Sequence, residues 1–505
     1  MHKQTLCAYF IFMKNTFKLI LVLFTLFNFI NCTKENKIPA DLEINDFVWK
    51  AMNAYYLHQD QVDDLANTKF RNQPELNQYL RSFETPKKLF LSLLYNTPAL
   101  DQKSLFIEDY NSSAEVDSRI SSTHGVEYGI IAEPGSSSNV IGYVQYILPN
   151  TDASKQPIQR GDFFYAVDNI QLTRNNFNTL LNNASNTFEL HMASFDGNTV
   201  KADSIIENAI KIPKKITLSK KEYLHTPIFM HKTITDGSNK TGYIVFNHQF
   251  SSNYIQALNA RFLQFKNDGV KQLILDLRYN IGGRSSLKSV NELASMITGQ
   301  FTNEIFAKKR FNNKAQSWFM TNQPDSLVVR FTDKIYNSTK INSLKLTELY
   351  IILNGNLPAA ELLINGLNNH INVYVINSVT TKGENTASMK LYNSLDYNKV
   401  GSSTNHTVAL EPIVAELQNS NDETFANGFT PKITTCSEND ILNIGIIGES
   451  SDPVLNRVLN LIQKTPPNPP GICNPNRFTF LYNSIHEQKA MNSGIFMQQK
   501  LPNTD

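Results

Sequence analysis

The chain has 505 residues, more than one ordinary domain holds, which suggests about three domains. Hydrophobic residues make up 41% of the chain and charged residues 18%, a balance typical of globular domains with sizeable cores. The formal net charge of +2 supplies no electrostatic reason to expect a nucleic acid or an anionic surface as partner. We therefore expect a multidomain globular protein with no nucleic-acid partner.

The N-terminus has the pattern of an export signal, residues 1–32. A basic start at residues 13–18 precedes an apolar run that is too short to span a membrane comfortably. The run leads to Cys32, which predicts a lipoprotein cleavage site and a lipid anchor in the membrane. Asn31 is larger than the residue that usually precedes such a cysteine, so plain secretion with an incidental Cys32 is the alternative. We expect an exported cell-envelope protein, periplasmic or at the outer membrane or surface.

The C-terminal tail, residues 466–505, opens with a proline-rich linker and carries no motif that we recognise. Cys436 and Cys473 lie before and within it, and in an oxidising compartment they could form a disulfide that pins the tail to the core. Two unrelated thiols are the alternative, because a sequence does not show which residues are near each other.

The first half of the chain divides into a helical unit and a β-rich unit. Residues 46–115 carry apolar side chains at helical spacing, such as Phe47, Met52 and Tyr55. Residues 121–212 contain mostly short segments with strand propensity, separated by turns. We expect a small helical N-terminal domain followed by a β-rich domain.

An α/β unit occupies residues 236–465. Residues 271–284 (KQLILDLRYNIGGR) predict a buried strand and a glycine turn, followed by a helix from Ser285 onward. Residues 348–377 predict a similar order: a strand, a turn, a helix and a second strand. This order presents backbone N–H groups at the carboxyl edge of a sheet.

The motifs of this unit resemble those of the C-terminal-processing, or tail-specific, serine peptidases. LILDLRYNIGG is similar to the family's DLRxNxGG signature, and AAELLINGL followed by VYVINSVTTKGEN is similar to its helix start and its TxGK strand end. The resemblance spans about residues 46–462 and points to the PDZ-containing lipoprotein branch of Bacteroidetes type. It implies a multidomain α/β fold with a crotonase- or ClpP-like peptidase core, a PDZ-like domain and a polypeptide ligand or substrate.

The β-rich unit resembles a PDZ domain. In such domains a peptide adds as an extra strand, and loop N–H groups hold its C-terminal carboxylate. Tyr128, Gly129 and Ile130 match the loop position and are the candidate peptide-binding residues. A PDZ-like packing module that binds nothing is the alternative.

An active member of the family needs a serine at a helix N-terminus, a lysine as general base, and backbone N–H groups that face the oxyanion. Gly282 and Gly283 keep the oxyanion turn. The serine position lies three residues before Glu361 and falls on Pro358. Residues 348–377 contain no Ser, Thr or Cys, so the resemblance implies that the nucleophile is missing.

The general base is missing too. The TxGK pattern places Glu384 where the lysine belongs, and the support position falls on Ser388. Lys382 is nearby, but in an extended segment it lies one strand step away, at about 7 Å. The leading hypothesis is therefore a pseudopeptidase that binds polypeptide C-termini.

Two alternatives remain open from the sequence. The first is an active serine-type endopeptidase whose nucleophile has moved, for instance to Ser285 or Ser286 beside the glycine turn. The second is a purely structural surface lipoprotein. The sequence offers no phosphate loop, dinucleotide fingerprint, HExxH or CxxC pattern, and His225 and His231 are expected to be packed or exposed, so we expect no cofactor and no metal.

The lipoprotein interpretation leads to a first test. Cys32→Ser should move the protein from the membrane fraction to a soluble one, because the acylated thiol is removed. Fractionation of cells that express each form, followed by immunoblotting, measures the shift. Recovery of both forms in the soluble fraction would show that Cys32 carries no lipid.

Overall fold

The computed structural model describes residues 38–95, 101, 103–111, 120–182, 185–207, 209–336, 338–434, 441–464, 477–485, 493–498 and 501. The predicted signal segment with Cys32, and both Cys436 and Cys473, lie outside these residues. Within the described residues, no helix is both long enough and apolar enough to cross a membrane.

Helices and strands are mixed along the whole chain. The α-helices of the described residues are α1 (Glu43–Tyr55), α2 (Gln73–Leu80), α3 (Pro86–Ser92), α4 (Phe177–Leu181), α5 (Ser252–Asp268), α6 (Leu287–Ile297), α7 (Asn313–Asn322), α8 (Pro358–Leu367) and α9 (Pro453–Ile462). The strands are β1 (Leu105–Ile107), β2 (Ile120–Thr123), β3 (Val126–Ala132), β4 (Val140–Ile147), β5 (Phe163–Val167), β6 (Ile170–Gln171), β7 (Thr187–Phe195), β8 (Val200–Ala202), β9 (Ser204–Glu207), β10 (Ile210–Pro213), β11 (Lys215–Ser219), β12 (Lys221–Leu224), β13 (Ile228–Asp236), β14 (Asn239–Phe246), β15 (Gln272–Asp276), β16 (Arg284–Ser286), β17 (Ile305–Phe311), β18 (Val328–Arg330), β19 (Glu348–Ile352), β20 (Asn372–Asn377), β21 (Thr386–Ser388), β22 (Leu391–Tyr392), β23 (Ala409–Glu411), β24 (Ile413–Gln418), β25 (Ile433–Thr434), β26 (Phe480–Asn483) and β27 (Gly494–Phe496).

The N-terminal helices share one hydrophobic core with the α/β unit. The apolar face of α1, with Phe47 and Met52, is buried in the cluster that also contains α5, α6 and α8. The amide of Asn312 donates to the carbonyls of Ala54 (3.1 Å) and Tyr56 (2.9 Å), which ties the end of α1 to the start of α7. The helical unit is therefore docked on the α/β unit and not held by a tether alone.

The β-rich unit is an antiparallel sheet in the order β11-β7-β5-β4-β3-β26. Its strands bury a core on one face that includes Val126, Ile130, Val144 and Phe164. The last strand, β26, comes from the C-terminal part of the chain and pairs antiparallel with β3. A distant segment therefore completes this sheet.

The α/β unit is built on a sheet in the order β13-β14-β15-β19-β20-β25, in which every pair except β13 and β14 is parallel. Helices α5, α6 and α8 cover one face and α9 packs on the other. Parallel strands buried on both faces are the reason that residues 273–275 form a continuous apolar run. The predicted multidomain α/β fold class is confirmed.

A second sheet lies beside the first, in the order β16-β27-β21-β24-β17-β18. Its strand β27 also comes from the C-terminal part of the chain and runs parallel to both β16 and β21. The C-terminal segment thus adds one strand to the β-rich unit and one to the α/β unit.

The predicted helix start at Ser285 is wrong. Residues 284–286 form strand β16, and α6 begins at Leu287. The reason is tertiary: β16 pairs with β27, with Arg284 opposite Gly494 and Ser286 opposite Phe496. A local pattern does not contain this pairing.

The predicted loop at Tyr128, Gly129 and Ile130 is also wrong. All three residues lie within strand β3 and are buried. Gly129 is needed there because a Cβ would lie 2.4 Å from atoms of the Tyr143 ring. This glycine permits close packing and does not form a carboxylate-binding turn.

A buried ion network holds the end of β15. The Arg278 guanidinium, 2% exposed, donates to Asp276 (Nη2 to Oδ2, 2.7 Å) and to Asp452 (Nη1 to Oδ1, 3.1 Å). Asp276 also accepts from the Tyr243 hydroxyl (2.7 Å), and Asp452 caps α9 by accepting from the Val454 N–H (3.0 Å). The network therefore joins the core sheet to the start of α9.

Removal of Asp452 tests how much the buried network contributes to stability. Asp452→Ala should lower the free energy of unfolding by about 3–5 kcal/mol, because it leaves Arg278 buried without one of its counter-charges. Urea unfolding measures the change. As a matched control, Glu108→Ala removes the exposed partner of Lys87 and should cost about 1 kcal/mol or less.

The same network predicts a pH dependence. Burial alone would raise the pKa of Asp452, but the Arg278 guanidinium holds it below its ordinary value. A carboxyl with a lowered folded pKa contributes stability above its unfolded pKa, and that contribution is lost as the pH falls through the folded value. The difference in free energy of unfolding between the wild type and Asp452→Ala should therefore shrink in acid. A difference that stays the same at low pH would contradict this account.

Candidate functional site

The loops at the carboxyl edge of the core sheet form a cleft around the glycine turn. Gly282 and Gly283 have positive φ angles (71° and 98°), which glycine adopts without strain. The amide of Asn280 donates to the carbonyls of Phe246 (3.0 Å) and His248 (2.7 Å), and its Oδ1 accepts from the Gly282 N–H (2.8 Å). The Gly282 N–H therefore holds the turn.

The Gly283 N–H is engaged by the C-terminal segment. It donates to Ser493 Oγ (2.9 Å), and the Gly494 N–H donates to the Gly283 carbonyl (3.2 Å). A Cβ on Gly282 would lie 2.3 Å from Ser493 Oγ, so this approach requires a glycine. The predicted glycine turn is present, and the protein's own chain occupies its Gly283 N–H.

Helix α8 begins at Pro358, the position that the resemblance assigns to the serine. Leu357 precedes the helix, and its Cδ1 lies 3.9 Å from the point that a Gly282 Cβ would occupy. The helix start therefore faces the glycine turn, as the predicted site requires. Proline suits the first turn of a helix, but it has neither a hydroxyl nor an N–H group to offer a substrate.

Glu384, at the lysine position, lies in the loop after β20 and forms an ion pair with Lys103. Glu361, in the first turn of α8, orients this loop by accepting from the N–H groups of Gly383 (2.6 Å) and Glu384 (3.1 Å). Burial raises the pKa of Glu361, and hydrogen bonds from Thr381, Gly383 and Glu384 oppose that rise. Glu361 is thus an anchor between the serine position and the lysine position.

Lys103 is a site residue that the sequence analysis missed. Asp101 positions its segment by accepting from the N–H groups of Lys103 (3.1 Å) and Ser104 (2.8 Å) and from the Tyr56 hydroxyl (2.8 Å). The segment thereby brings an amine beside Glu384, which lies 281 positions later in the chain. No local pattern could have signalled this pair, because the helical unit must dock before the two residues meet.

Ser388, the predicted support position, belongs to a different network. Its Oγ donates to Glu411 (3.1 Å), and the Arg284 guanidinium contacts both side chains. Burial lowers the pKa of Arg284 to about 10, so the guanidinium stays charged at neutral pH. This network ties β16 to β21 and β23.

Ser285 and Ser286 are the candidates for a relocated nucleophile. Ser285 is 1% exposed, and its Oγ accepts from the Phe250 N–H (3.0 Å), which directs it into the protein. Ser286 borders the cavity, and its N–H donates to the Phe250 carbonyl (2.8 Å). Of the two, only Ser286 is placed where a substrate could meet it.

A cavity of about 1930 Å³ lies between the β-rich unit and the cleft. Its wall includes Tyr128 and Leu181 from the β-rich unit and His248, Gly283 and Glu292 from the α/β unit. Strand β3, which contains the residues predicted to bind peptide, and the glycine turn therefore border one continuous space.

Burial disfavours the charged form of two histidines of the cavity wall. His225 Nε2 lies 2.6 Å from Ser121 Oγ, and its ring centroid lies 5.4 Å from that of His248. Burial lowers the pKa of both histidines, that of His248 to about 4. His231 lies apart from them and contacts Gln264 (3.2 Å). In the part of the chain that the structure describes, no three His, Cys, Asp or Glu side chains are grouped to hold a metal ion.

Two family models match the chain. Residues 43–101 match the Peptidase S41 N-terminal domain, and residues 240–431 match Peptidase family S41. The second match contains the glycine turn, Pro358 and Glu384. No curated protein sequence matches the chain.

The chain is similar to solved structures. A crystal structure assigned to an S41 protease of Bacteroides fragilis NCTC 9343 is 19% identical over 83% of this chain and 97% of that chain, with a TM-score of 0.60. The photosystem II D1 C-terminal processing protease is 16% identical over 79% of this chain and 94% of that chain, with a TM-score of 0.40. The first likeness shows a common architecture.

The cavity wall supplies a test through Glu292, a buried residue of α6. Burial raises its pKa from 4.5 to about 7, although the charge of Lys288 opposes the rise. A carboxyl with a raised folded pKa favours folding below its unfolded pKa, and this contribution is lost as the pH rises through about 7. At pH 8 the free energy of unfolding of Glu292→Gln should therefore be higher than that of the wild type by roughly 1–2 kcal/mol.

Urea unfolding at pH 4.5 and pH 8 measures the difference between the two proteins. At pH 4.5 the advantage of Glu292→Gln should be much smaller. Glu222→Gln, at an exposed position of β12, is the control and should show no such pH dependence. An advantage of equal size at both pH values would show that Glu292 does not titrate as described.

Proposed function

The chain belongs to peptidase family S41, and from that premise we propose that it is an exported pseudopeptidase: it binds extended polypeptide segments in its cleft and does not hydrolyse them. One observation carries the proposal. Pro358 stands at the start of α8, facing the glycine turn, where the resemblance requires a serine. Acyl transfer through this fold needs an attacking atom at that point, and proline has none.

The base position supports the same proposal. Glu384 is paired with Lys103, and its backbone is held by Glu361, so the loop is ordered around a carboxylate. A general base must lie within about 2.6–3.2 Å of the hydroxyl that it deprotonates. Glu384 meets no hydroxyl at Pro358. Lys382 does not take the place of the family's lysine. Its side chain is exposed, and its backbone N–H donates to Asn356 Oδ1 (2.9 Å), which holds this part of the loop in place.

Binding is proposed because the surfaces that would hold an extended chain remain. The Gly283 N–H donates to Ser493 Oγ and the edge of β3 pairs with β26, so each already holds an extended segment of this chain, and the cavity connects the two. An extended peptide gains main-chain hydrogen bonds at such an edge. The strand that pairs with β3 here is internal to the chain, so we propose binding of internal segments in place of the C-terminus capture that the PDZ resemblance implies.

Export and lipidation are proposed from the signal pattern that ends at Cys32. A lipid-anchored protein at the cell envelope meets unfolded or extended segments of other exported proteins. This location suits a protein that binds polypeptides by their backbone and does not cleave them.

A working peptidase with a relocated nucleophile is the competing candidate, and Ser286 at the cavity is the observation that favours it. We rank it second for a physical reason. The backbone N–H of Ser286 donates to the Phe250 carbonyl and holds β16 in place. The Ser286 side chain makes no cap hydrogen bond to α6, and among the described residues its hydroxyl is paired with no base.

The decisive assay is hydrolysis of casein and of a fluorogenic peptide by the purified chain. We expect no turnover above a buffer blank, and no labelling by a serine-reactive fluorophosphonate. Pro358→Ser alone should restore nothing, because a serine without its base loses nearly all of the rate that the pair provides. Pro358→Ser combined with Glu384→Lys supplies both groups and tests whether the scaffold alone is competent.

Ser285→Ala and Ser286→Ala are the controls for the competing candidate. Turnover that survives purification and disappears in one of these two variants would overturn the proposal and identify the nucleophile. Capture of casein on immobilised wild-type protein, without cleavage, separates a binding protein from a purely structural one.

A further inference from the structure

We propose that the C-terminal segment, described at residues 477–485 and 493–498, is a built-in ligand that occupies both the edge of β3 and the cleft at Gly283. Other polypeptides then bind only when they displace it. The displacement by other polypeptides rests on the proposed binding function. The occupation of β3 and the cleft by the C-terminal segment rests on the contacts described next.

The first contact is strand addition at β3. Without β26, β3 would be the edge strand of the β-rich sheet. β26 pairs antiparallel with it, with Tyr482 opposite Ile130 and Asn483 opposite Gly129. The Ala132 N–H also donates to the Thr479 carbonyl (2.9 Å). This is the geometry by which an extended peptide augments a sheet, achieved here within one chain.

The second contact is a side-chain slot. The Tyr482 ring stacks on Tyr128 on β3 (centroids 5.7 Å apart) and meets Phe177 on α4 edge-on (5.6 Å). Aromatic pairs in such arrangements contribute roughly 0.5–1.5 kcal/mol beyond the area that they bury. The groove between β3 and α4 is therefore filled by one aromatic side chain of the segment.

A hydroxyl follows two residues later and meets two polar groups of the groove. Ser484 Oγ donates to the carboxylate of Glu127 (2.6 Å) and accepts from the Tyr128 N–H (2.9 Å). Glu127 is 4% exposed, and a buried carboxylate requires donors. The groove thus selects an aromatic residue, one spacer and a hydroxyl residue within an extended chain.

The third contact is in the cleft. β27 lies between β16 and β21, where Ser388 Oγ lies 3.3 Å from the Ile495 carbonyl oxygen and the Met497 N–H donates to the Ser388 carbonyl (2.9 Å). Ser493 Oγ accepts from the Gly283 N–H (2.9 Å), the donor that a substrate carbonyl would need. The segment therefore fills the cleft in the way that an extended substrate would.

The chemistry of the occupant defines the partner. The sequence continues beyond Ser484, so a side-chain hydroxyl and not a terminal carboxylate accepts from the Tyr128 N–H. The proposed partner is an internal, extended polypeptide segment with the pattern aromatic, any residue, Ser or Thr. A terminal carboxylate at the position of Ser484 would meet Glu127, a like charge, whereas one placed two residues further on, as in the probe below, should add nothing.

The test uses the full mature chain and a fluorescein-labelled peptide that copies residues 477–486 (RFTFLYNSIH), added in trans. Tyr482→Ala weakens the cis occupant at its slot, whereas Phe480→Ala is the matched control. Phe480 lies on the same strand, is 37% exposed, and faces Tyr143 on the other side of the sheet. Fluorescence anisotropy gives the probe affinity, and hydrogen exchange by mass spectrometry reports the amides of β3 and β27.

We expect weak probe binding to the wild type, because the binding-competent state is only fractionally populated. Tyr482→Ala should bind the probe at least about tenfold more tightly and should exchange the β3 amides faster. Phe480→Ala should stay within about twofold of the wild type, since its ring is not in the slot. Acid and amidated forms of the probe should bind equally.

The outcomes separate the two proposals. Equal probe affinity and equal β3 exchange in Tyr482→Ala and wild type would overturn the built-in ligand. Faster exchange without any probe binding would uphold the cis occupancy and overturn the proposed binding function. If Tyr482→Ala fails to fold, Ser484→Ala replaces it, because it removes only the hydroxyl contacts to Glu127 and Tyr128. An unchanged probe affinity in that variant would count against the proposal.

Discussion

The buried guanidinium of Arg278 is the constraint on which the rest of the cleft depends. It is held between Asp276 at the end of β15 and Asp452 at the start of α9, so the core sheet and the opposite helix layer meet through one charge. Such a charge is costly to bury and must keep both partners. The chain that leaves β15 is thereby directed into Asn280 and the glycine turn, whose position follows from a stability requirement.

This dependence separates the scaffold from the chemistry. The glycine turn, Glu361 and the start of α8 each contribute to the fold, because the turn packs against β27, Glu361 holds the next loop, and Pro358 begins a helix. Motifs of an acyl-transfer site can therefore persist for folding reasons when the reacting groups have changed. Under the proposed function, Pro358 replaces the serine at little structural cost, because the first helical turn tolerates a missing N–H.

The C-terminal segment couples the two units that border the cavity. It closes the edge of β3 and then supplies β27 to the second sheet, beside Gly283. An open sheet edge is a template for pairing with other chains, so covering it within the same molecule also limits unwanted association. A ligand must compete with contacts that the C-terminal segment already makes, so the stability of those contacts sets how readily the cleft binds another polypeptide.

The sequence by itself determined the order of elements in the core, the glycine turn and the lack of a hydroxyl at Pro358, because periodicity and residue identity are local properties. Only the tertiary structure decided that Lys103 neutralises Glu384, that β16 replaces the predicted helical turn at Ser285, and that β3 pairs with β26. Each of these depends on residues far apart in the chain. Their encounter follows from the docking of whole units, which no local pattern encodes.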